Sequence, residues 1–178
     1  DFLSKQWVIN GQRLIGINIG GSKRWQTKRW PHDKLTQLCD QLATNGFRVV
    51  LTGAKNDIDL AGIVTAATKS KPINAAGKTS LNELAALIKR CAVFISTDSA
   101  PMHIAAATGV PVVAIFGPTD PDRHRPATEN ITIIAKKLKC SPCYKPKCGN
   151  MKCIKQIDSK EILEAVKQYE NIVVNNAS

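Results

Sequence analysis

Apolar positions along this chain switch between two periods. Residues 14–19 and 47–51 are short, nearly continuous apolar runs, the pattern of buried strands. Between them Leu35, Leu38, Cys39 and Leu42 recur at helical spacing after Pro31, and Gly46 ends the predicted helix. Thr52-Gly53-Ala54 reads as a turn, followed by a helix from Asp57 to about Thr68 and a short strand over residues 73–75. Ser80 caps a helix whose Leu81, Leu84, Ala85 and Ile88 share a face. Residues 92–96, the helix after Asp98 and residues 111–116 form another strand-helix-strand unit. A last helix starts at Asp158 or Ser159 and reaches about Tyr169. Such alternation predicts an α/β fold, a Rossmann-like parallel sheet with helices on both faces.

Composition narrows this picture without changing it. The 178 residues are 43% hydrophobic and 22% charged, enough for one globular core, so residues 1–178 are read as a single domain. No apolar run approaches the about 20 residues that span a bilayer, and no segment has signal-peptide order, so the expected location is cytoplasmic. The first residue is Asp1 rather than Met, as expected of a piece of something longer. A formal net charge of +11 points to anionic company. Residues 130–157 contain no acidic side chain but hold Lys136, Lys137, Lys139, Lys145, Lys147, Lys152 and Lys155, read as one basic face or lobe. Nucleic acid, an acidic membrane surface and a phosphorylated small molecule all fit this charge; so does a merely solvated face. Aromatic content of 5% and the lack of a recognised nucleic-acid motif count against a nucleic-acid module.

The chemistry concentrates at Ser96-Thr97-Asp98-Ser99-Ala100-Pro101-Met102-His103, where a buried strand gives way to a helix. Thr97, Asp98 and Ser99 are N-capping types, and Pro101 suits a first helical turn because its missing N–H costs nothing there. The helix runs through Ile104 to Ala107 and stops at Gly109. Its start offers unpaired backbone N–H groups and the positive end of a dipole, a natural seat for phosphate. His103 falls one turn beyond Ser99, so the two side chains can face one opening. Gly117-Pro118-Thr119-Asp120-Pro121-Asp122 follows a strand and belongs at the carboxyl edge of the sheet, where doubly wound folds bind ligands.

Other nucleotide and metal patterns test less well. Gly16 to Lys23 places Ser22 where a P-loop needs lysine, and Gly77-Lys78-Thr79 lacks the glycine five positions earlier. Asp57 and Asp59 read as solvated helix-start residues rather than a carboxylate pair. Cys39 and Cys91 lie on apolar stretches as core thiols. Cys140, Cys143, Cys148 and Cys153 form Cys-x2-Cys-x4-Cys-x4-Cys, ligands enough for tetrahedral zinc, although the second pair lacks the usual close spacing. A reduced thiol cluster is the alternative, and no metal is assigned.

Taken together, residues 96–107 and the run from Gly109 to Pro121 closely resemble the ADP-heptose:lipopolysaccharide heptosyltransferases, glycosyltransferase family 9. Gly20-Gly21-Ser22 with Lys28-Arg29-Trp30-Pro31, then Gly53-Ala54, then Gly77-Lys78-Thr79-Ser80-Leu81, are similar to the family's other landmarks in order. The tail from Cys140-Ser141-Pro142-Cys143-Tyr144 resembles the second-heptose branch. The resemblance runs from about Leu14 to Tyr169.

The resemblance implies a two-domain GT-B enzyme of which this chain is the carboxyl-terminal, donor-binding half. The acceptor domain, with its catalytic aspartate base, then lies outside this sequence. Expected partners are ADP-heptose and, through that domain, the lipopolysaccharide core, with peripheral contact to an anionic membrane and no nucleic acid. No cofactor is implied. Lys28 takes the role of leaving-group stabiliser. Gly21, Ser22, Thr97, Asp98, Ser99, Ala100, His103 and Thr119 join it as candidate substrate-binding residues. Asp98 has two candidate jobs, capping the helix or binding donor hydroxyls. Two positions depart from the pattern: Ala100 stands where many members carry glycine, and Lys55 where some place an acidic ribose contact. A GT-B half using another nucleotide sugar is the rival enzyme reading.

Overall fold

The computed structural model describes residues 13–169. Six parallel strands form one sheet in the order β3-β2-β1-β4-β5-β6: β1 (Arg13–Asn18), β2 (Phe47–Thr52), β3 (Ile73–Asn74), β4 (Val93–Thr97), β5 (Val112–Phe116) and β6 (Ile131–Ala135). The order reverses between β1 and β4, as in a doubly wound nucleotide-binding fold. Strands β4 and β5 are buried along their whole length, which explains why they read as unbroken apolar runs rather than alternating ones.

Odd and even strand positions feed two separate cores. Ile15, Ile17, Val49, Leu51, Val93 and Ile95 point to one face. There they meet α1 (His32–Thr44), α2 (Ile58–Ala67) and α7 (Ser159–Lys167). Leu14, Val50, Phe94, Val112 and Ala114 point to the other, against α3 (Leu81–Lys89) and α4 (Ala100–Ala107). Gly16 sits opposite Phe94 in the β1–β4 register, and a Cβ there would lie 2.5 Å from the Phe94 ring. The missing side chain is the space the phenyl ring fills.

Helix starts follow their sequence signals. Ser80 Oγ accepts from Glu83 N–H at 3.3 Å while Ser80 N–H donates to Glu83 Oε2 at 2.8 Å, a reciprocal capping box. Asp158 and Glu161 repeat it at α7. Gly109, at φ +78°, ends α4 in the left-handed conformation that a side chain would oppose.

Three elements fall outside the sequence expectations. Residues 131–135, counted above in the basic lobe, are strand β6. The turn-rich segment after β5 contains α5 (Pro121–His124), capped by Asp120 Oδ1 accepting from Asp122 N–H at 3.0 Å. A short α6 (Lys152–Lys155) carries Cys153 and Ile154 into the core. Among the described residues, no helix is long and apolar enough to cross a membrane.

Candidate functional site

A cleft of about 570 Å³ opens outside the carboxyl ends of β1 and β4, where the strand order reverses. Such a switch point is the general ligand position of open α/β sheets. Gly20, Gly21 and Ser22 border it after β1, Ala54, Asn56 and Asp57 after β2, and Asp98, Ser99, Ala100 and His103 at the start of α4. Lys28 and Trp25 reach in from the loop that follows β1.

Lys28 ends a 3-10 turn (Gln26–Lys28) and pairs with Asp98, Nζ to Oδ2, at 2.6 Å. The lysine is 19% exposed and the aspartate 8%, so the ion pair is screened from bulk water without being sealed from the cleft. Of the two jobs expected for Asp98, helix capping falls away. Ser99 holds the N-cap position of α4, and its extended backbone makes no side-chain cap. Ser99 Oγ instead donates to Thr97 O at 3.1 Å and accepts from Asn18 Nδ2 at 3.2 Å. At the start of α4, Pro101 has no N–H and Met102 N–H donates to Ser99 O at 3.1 Å, so the helix leaves the Ala100 N–H without a partner of its own, beside the same cleft as Lys28. A cation and a helix N-terminus facing one space make a site for an anion.

Asn18 and Trp25 escaped the sequence reading, and Asp57 was placed wrongly by it. Asn18, the last residue of β1, is buried and also donates to Gly20 O at 3.0 Å, so it ties the β1 loop to α4 across the switch point. Its signal was a polar residue closing an apolar strand. Asp57 corrects an expectation: it is not solvated but 2% exposed, wedged against Gly20 and Gly53. A Cβ at Gly20 would collide with Asp57 Oδ2, and one at Gly53 would stand 2.9 Å from Asp57 Cβ. Its carboxylate accepts from Ala54 N–H at 3.0 Å and pairs with Arg29 at 3.4 Å. The two glycines therefore make room for a carboxylate that joins the β1 and β2 loops. Asp59 gives no sign of pairing with it.

Of the residues expected at the site, Gly21, Ser22, Lys28, Asp98, Ser99, Ala100 and His103 line this cleft, His103 with an exposed side chain. Thr97 and Thr119 do not. Thr97 is buried at the end of β4, and Thr119 lies beyond β5 with a buried Oγ1 that has no hydrogen-bond partner.

The family is decided by a match over residues 4–154 to the model of glycosyltransferase family 9 (heptosyltransferase). The chain belongs to glycosyltransferase family 9. It is 37% identical over 134 residues to lipooligosaccharide heptosyltransferase 2 of Haemophilus influenzae, an alignment covering 73% of this chain and 39% of that enzyme. It is 46% identical over 107 residues to lipopolysaccharide heptosyltransferase 3 of Escherichia coli, covering 58% and 31%. Among solved structures, ADP-heptose lipopolysaccharide heptosyltransferase II of Escherichia coli superposes with a TM-score of 0.81 at 29% identity, covering 94% of this chain and 49% of that one. The chain thus spans about half or less of the family members it matches.

Beside the cleft, this family 9 domain carries a second cavity of about 240 Å³, lined by Cys140, Cys143, Cys148 and Cys153 together with Thr27 and Pro118. All six cysteines are free, and of these four, Cys140 and Cys148 are exposed while Cys153 is buried. Among the described residues no three His, Cys, Asp or Glu side chains are grouped to hold a metal ion. The backbone N–H groups of Met151 and Asn150, with Lys145 and Lys155 nearby, hold the Cys148 thiol below its ordinary pKa. Burial, then the neighbouring Cys143, pushes Cys153 up. The segment is hung on the carboxyl edge of the sheet by hydrogen bonds to its main chain: Cys143 and Tyr144 N–H both donate to Pro118 O at 2.9 Å, and the Thr27 side-chain Oγ1 donates to Lys145 O at 2.7 Å.

Proposed function

We propose that this chain is the donor-binding half of a transferase that moves heptose from ADP-heptose to the lipopolysaccharide inner core. The observation that carries the reading is Lys28, held at 2.6 Å from Asp98 beside the α4 N-terminus in the β1/β4 crevice. Breaking the bond between the anomeric carbon and the diphosphate puts growing negative charge on the leaving ADP. Lys28 neutralises that charge, and the N–H groups at Ser99 and Ala100 add donors already oriented before the reaction. Lysine and helix terminus together take the part that a divalent ion plays at other diphosphate sites. Asp98 holds Lys28 in place, and its free oxygen is within reach of a donor hydroxyl. His103 supplies a hydrogen bond to phosphate or sugar oxygen from the open side of the cleft.

The acceptor and its general base belong to a domain outside these 178 residues. This chain alone binds the nucleotide and transfers no sugar. The work is cytoplasmic, and the exposed lysines 137, 139, 145, 147, 152 and 155 offer peripheral contact to an anionic membrane surface. Calorimetric titration with ADP, UDP and GDP tests the reading. ADP binds best, and Lys28→Ala weakens it about tenfold or more, the worth of a charge-assisted hydrogen bond. Equal affinity for the three nucleotides, or indifference to Lys28, contradicts it.

A further inference from the structure

Lys28 has a second neighbour that the donor reading does not use. Its Nζ stands 4.7 Å from the centre of the Trp25 ring while it pairs with Asp98 at 2.6 Å. The approach is built into the backbone. Trp25 N–H donates to Ser22 O at 2.9 Å and Lys28 N–H to Trp25 O at 3.1 Å, so one turn of loop fixes indole and ammonium together. The turn is pinned through a side chain as well, Thr27 Oγ1 donating to Lys145 O at 2.7 Å. Trp25 also lines the cleft.

We infer that Trp25 is a positioning residue for Lys28: its indole face and the Asp98 carboxylate hold the ammonium at the diphosphate seat before the donor arrives. A free lysine side chain has four rotatable bonds and loses that freedom when it binds phosphate. Here most of the loss is taken at folding. Asp98 engages one N–H of the ammonium and the ring lies against it, and the donor capacity that remains is available to a diphosphate in the cleft. An aromatic face suits this better than a second carboxylate, because it attracts the cation without adding repulsion against the incoming diphosphate.

The inference rests on Lys28 binding the diphosphate, and a double-mutant cycle separates the two ideas. ADP is titrated calorimetrically into the unmodified chain, Trp25→Leu, Lys28→Met and the double variant, with Trp25→Phe as the conservative control. Trp25→Leu is expected to weaken ADP about threefold to thirtyfold, the range of a cation–π contact in a partly dry site. Trp25→Phe regains part of that loss because a phenyl face still attracts the cation. In the Lys28→Met background, Trp25→Leu costs nothing further, since there is no ammonium left to position. An unchanged affinity in Trp25→Leu, or a loss that adds in full to that of Lys28→Met, overturns the inference while leaving the donor reading intact. An unchanged affinity in Lys28→Met overturns both. Should Trp25→Leu fail to fold by circular dichroism, Trp25→Phe runs the same cycle, and its smaller loss must again vanish without Lys28.

Discussion

Two neighbouring parts of the carboxyl edge are built in opposite ways. At the β1/β4 crevice each working group sits at a strand end, in the loop that leaves it or in a first helical turn, and the polar anchors Asn18, Asp57 and Asp98 are buried and partnered. The cysteine segment over residues 136–151 contains no helix or strand and hangs from the carbonyls of Gly117 and Pro118 by a few hydrogen bonds. The parallel β1–β4 register positions the first arrangement. The second is held by contacts that can open locally without unfolding the core. The cleft thus holds Lys28 with Asp98 and Arg29 with Asp57 in ion pairs, whereas most lysines of the positively charged lobe stand exposed.

The contrast can be broken by stability measurements. Phe94→Ala removes a fully buried ring from the strand that delivers Asp98 and should cost about 3–5 kcal/mol by urea unfolding. Tyr144→Ala, the nearest equivalent in the cysteine segment, should cost about 1 kcal/mol or less. Equal losses would mean that the segment is as integral as the sheet. Asp57→Ala leaves the Ala54 N–H and Arg29 without their carboxylate and should cost about 1–3 kcal/mol. A silent substitution would show that Asp57 fills space only. Thr27→Val keeps shape, deletes the bond to Lys145 O and should cost about 1 kcal/mol.

Thiol chemistry sharpens the same contrast at smaller cost. Burial pushes Cys39 and Cys91 up to about 12, so in the folded protein they stay protonated and unreactive near neutral pH. Cys148, exposed and held low by backbone N–H groups, should be the first alkylated by iodoacetamide, and read by mass spectrometry. Labelling of Cys39 or Cys91 at the same rate would contradict the packing. The smallest effect is acid-dependent. Asp158 lies below its usual 3.8, chiefly because it accepts from Lys160 N–H, so the folded state favours its charged form. The α7 cap therefore contributes above that usual value and is lost as pH falls through the lower, folded one. Asp158→Ala should flatten this part of the acid transition seen by circular dichroism.

Much of the fold was legible because its signals are local. The β4 and β5 runs, the Ser80 capping box and the helix after Asp98 each declare themselves within a few residues. Strand β6 was not legible: Ile131-Thr132-Ile133-Ile134 is a β-branched run, but the lysines that follow drew it into a charged lobe. The site was legible where the chain is continuous, from Asp98 to His103, and in Lys28 through the family resemblance. It was hidden where it depends on register. Nothing in the spacing of Asn18 and Ser99, or of Lys28 and Asp98, reveals that a parallel β1–β4 pairing brings them together. Asp57 was misread for a related reason, since its burial depends on Gly20 of the β1 loop as well as on Gly53 of its own loop.

The central claim is that the β1/β4 crevice, and not the basic cysteine lobe, receives the nucleotide diphosphate. Amide chemical-shift mapping of the isotope-labelled chain during ADP titration tests it most directly. The account predicts saturable shifts at residues 20–22, 25–28 and 98–103. Shifts confined to residues 136–155, or scattered over surface lysines and abolished by moderate salt, would contradict it.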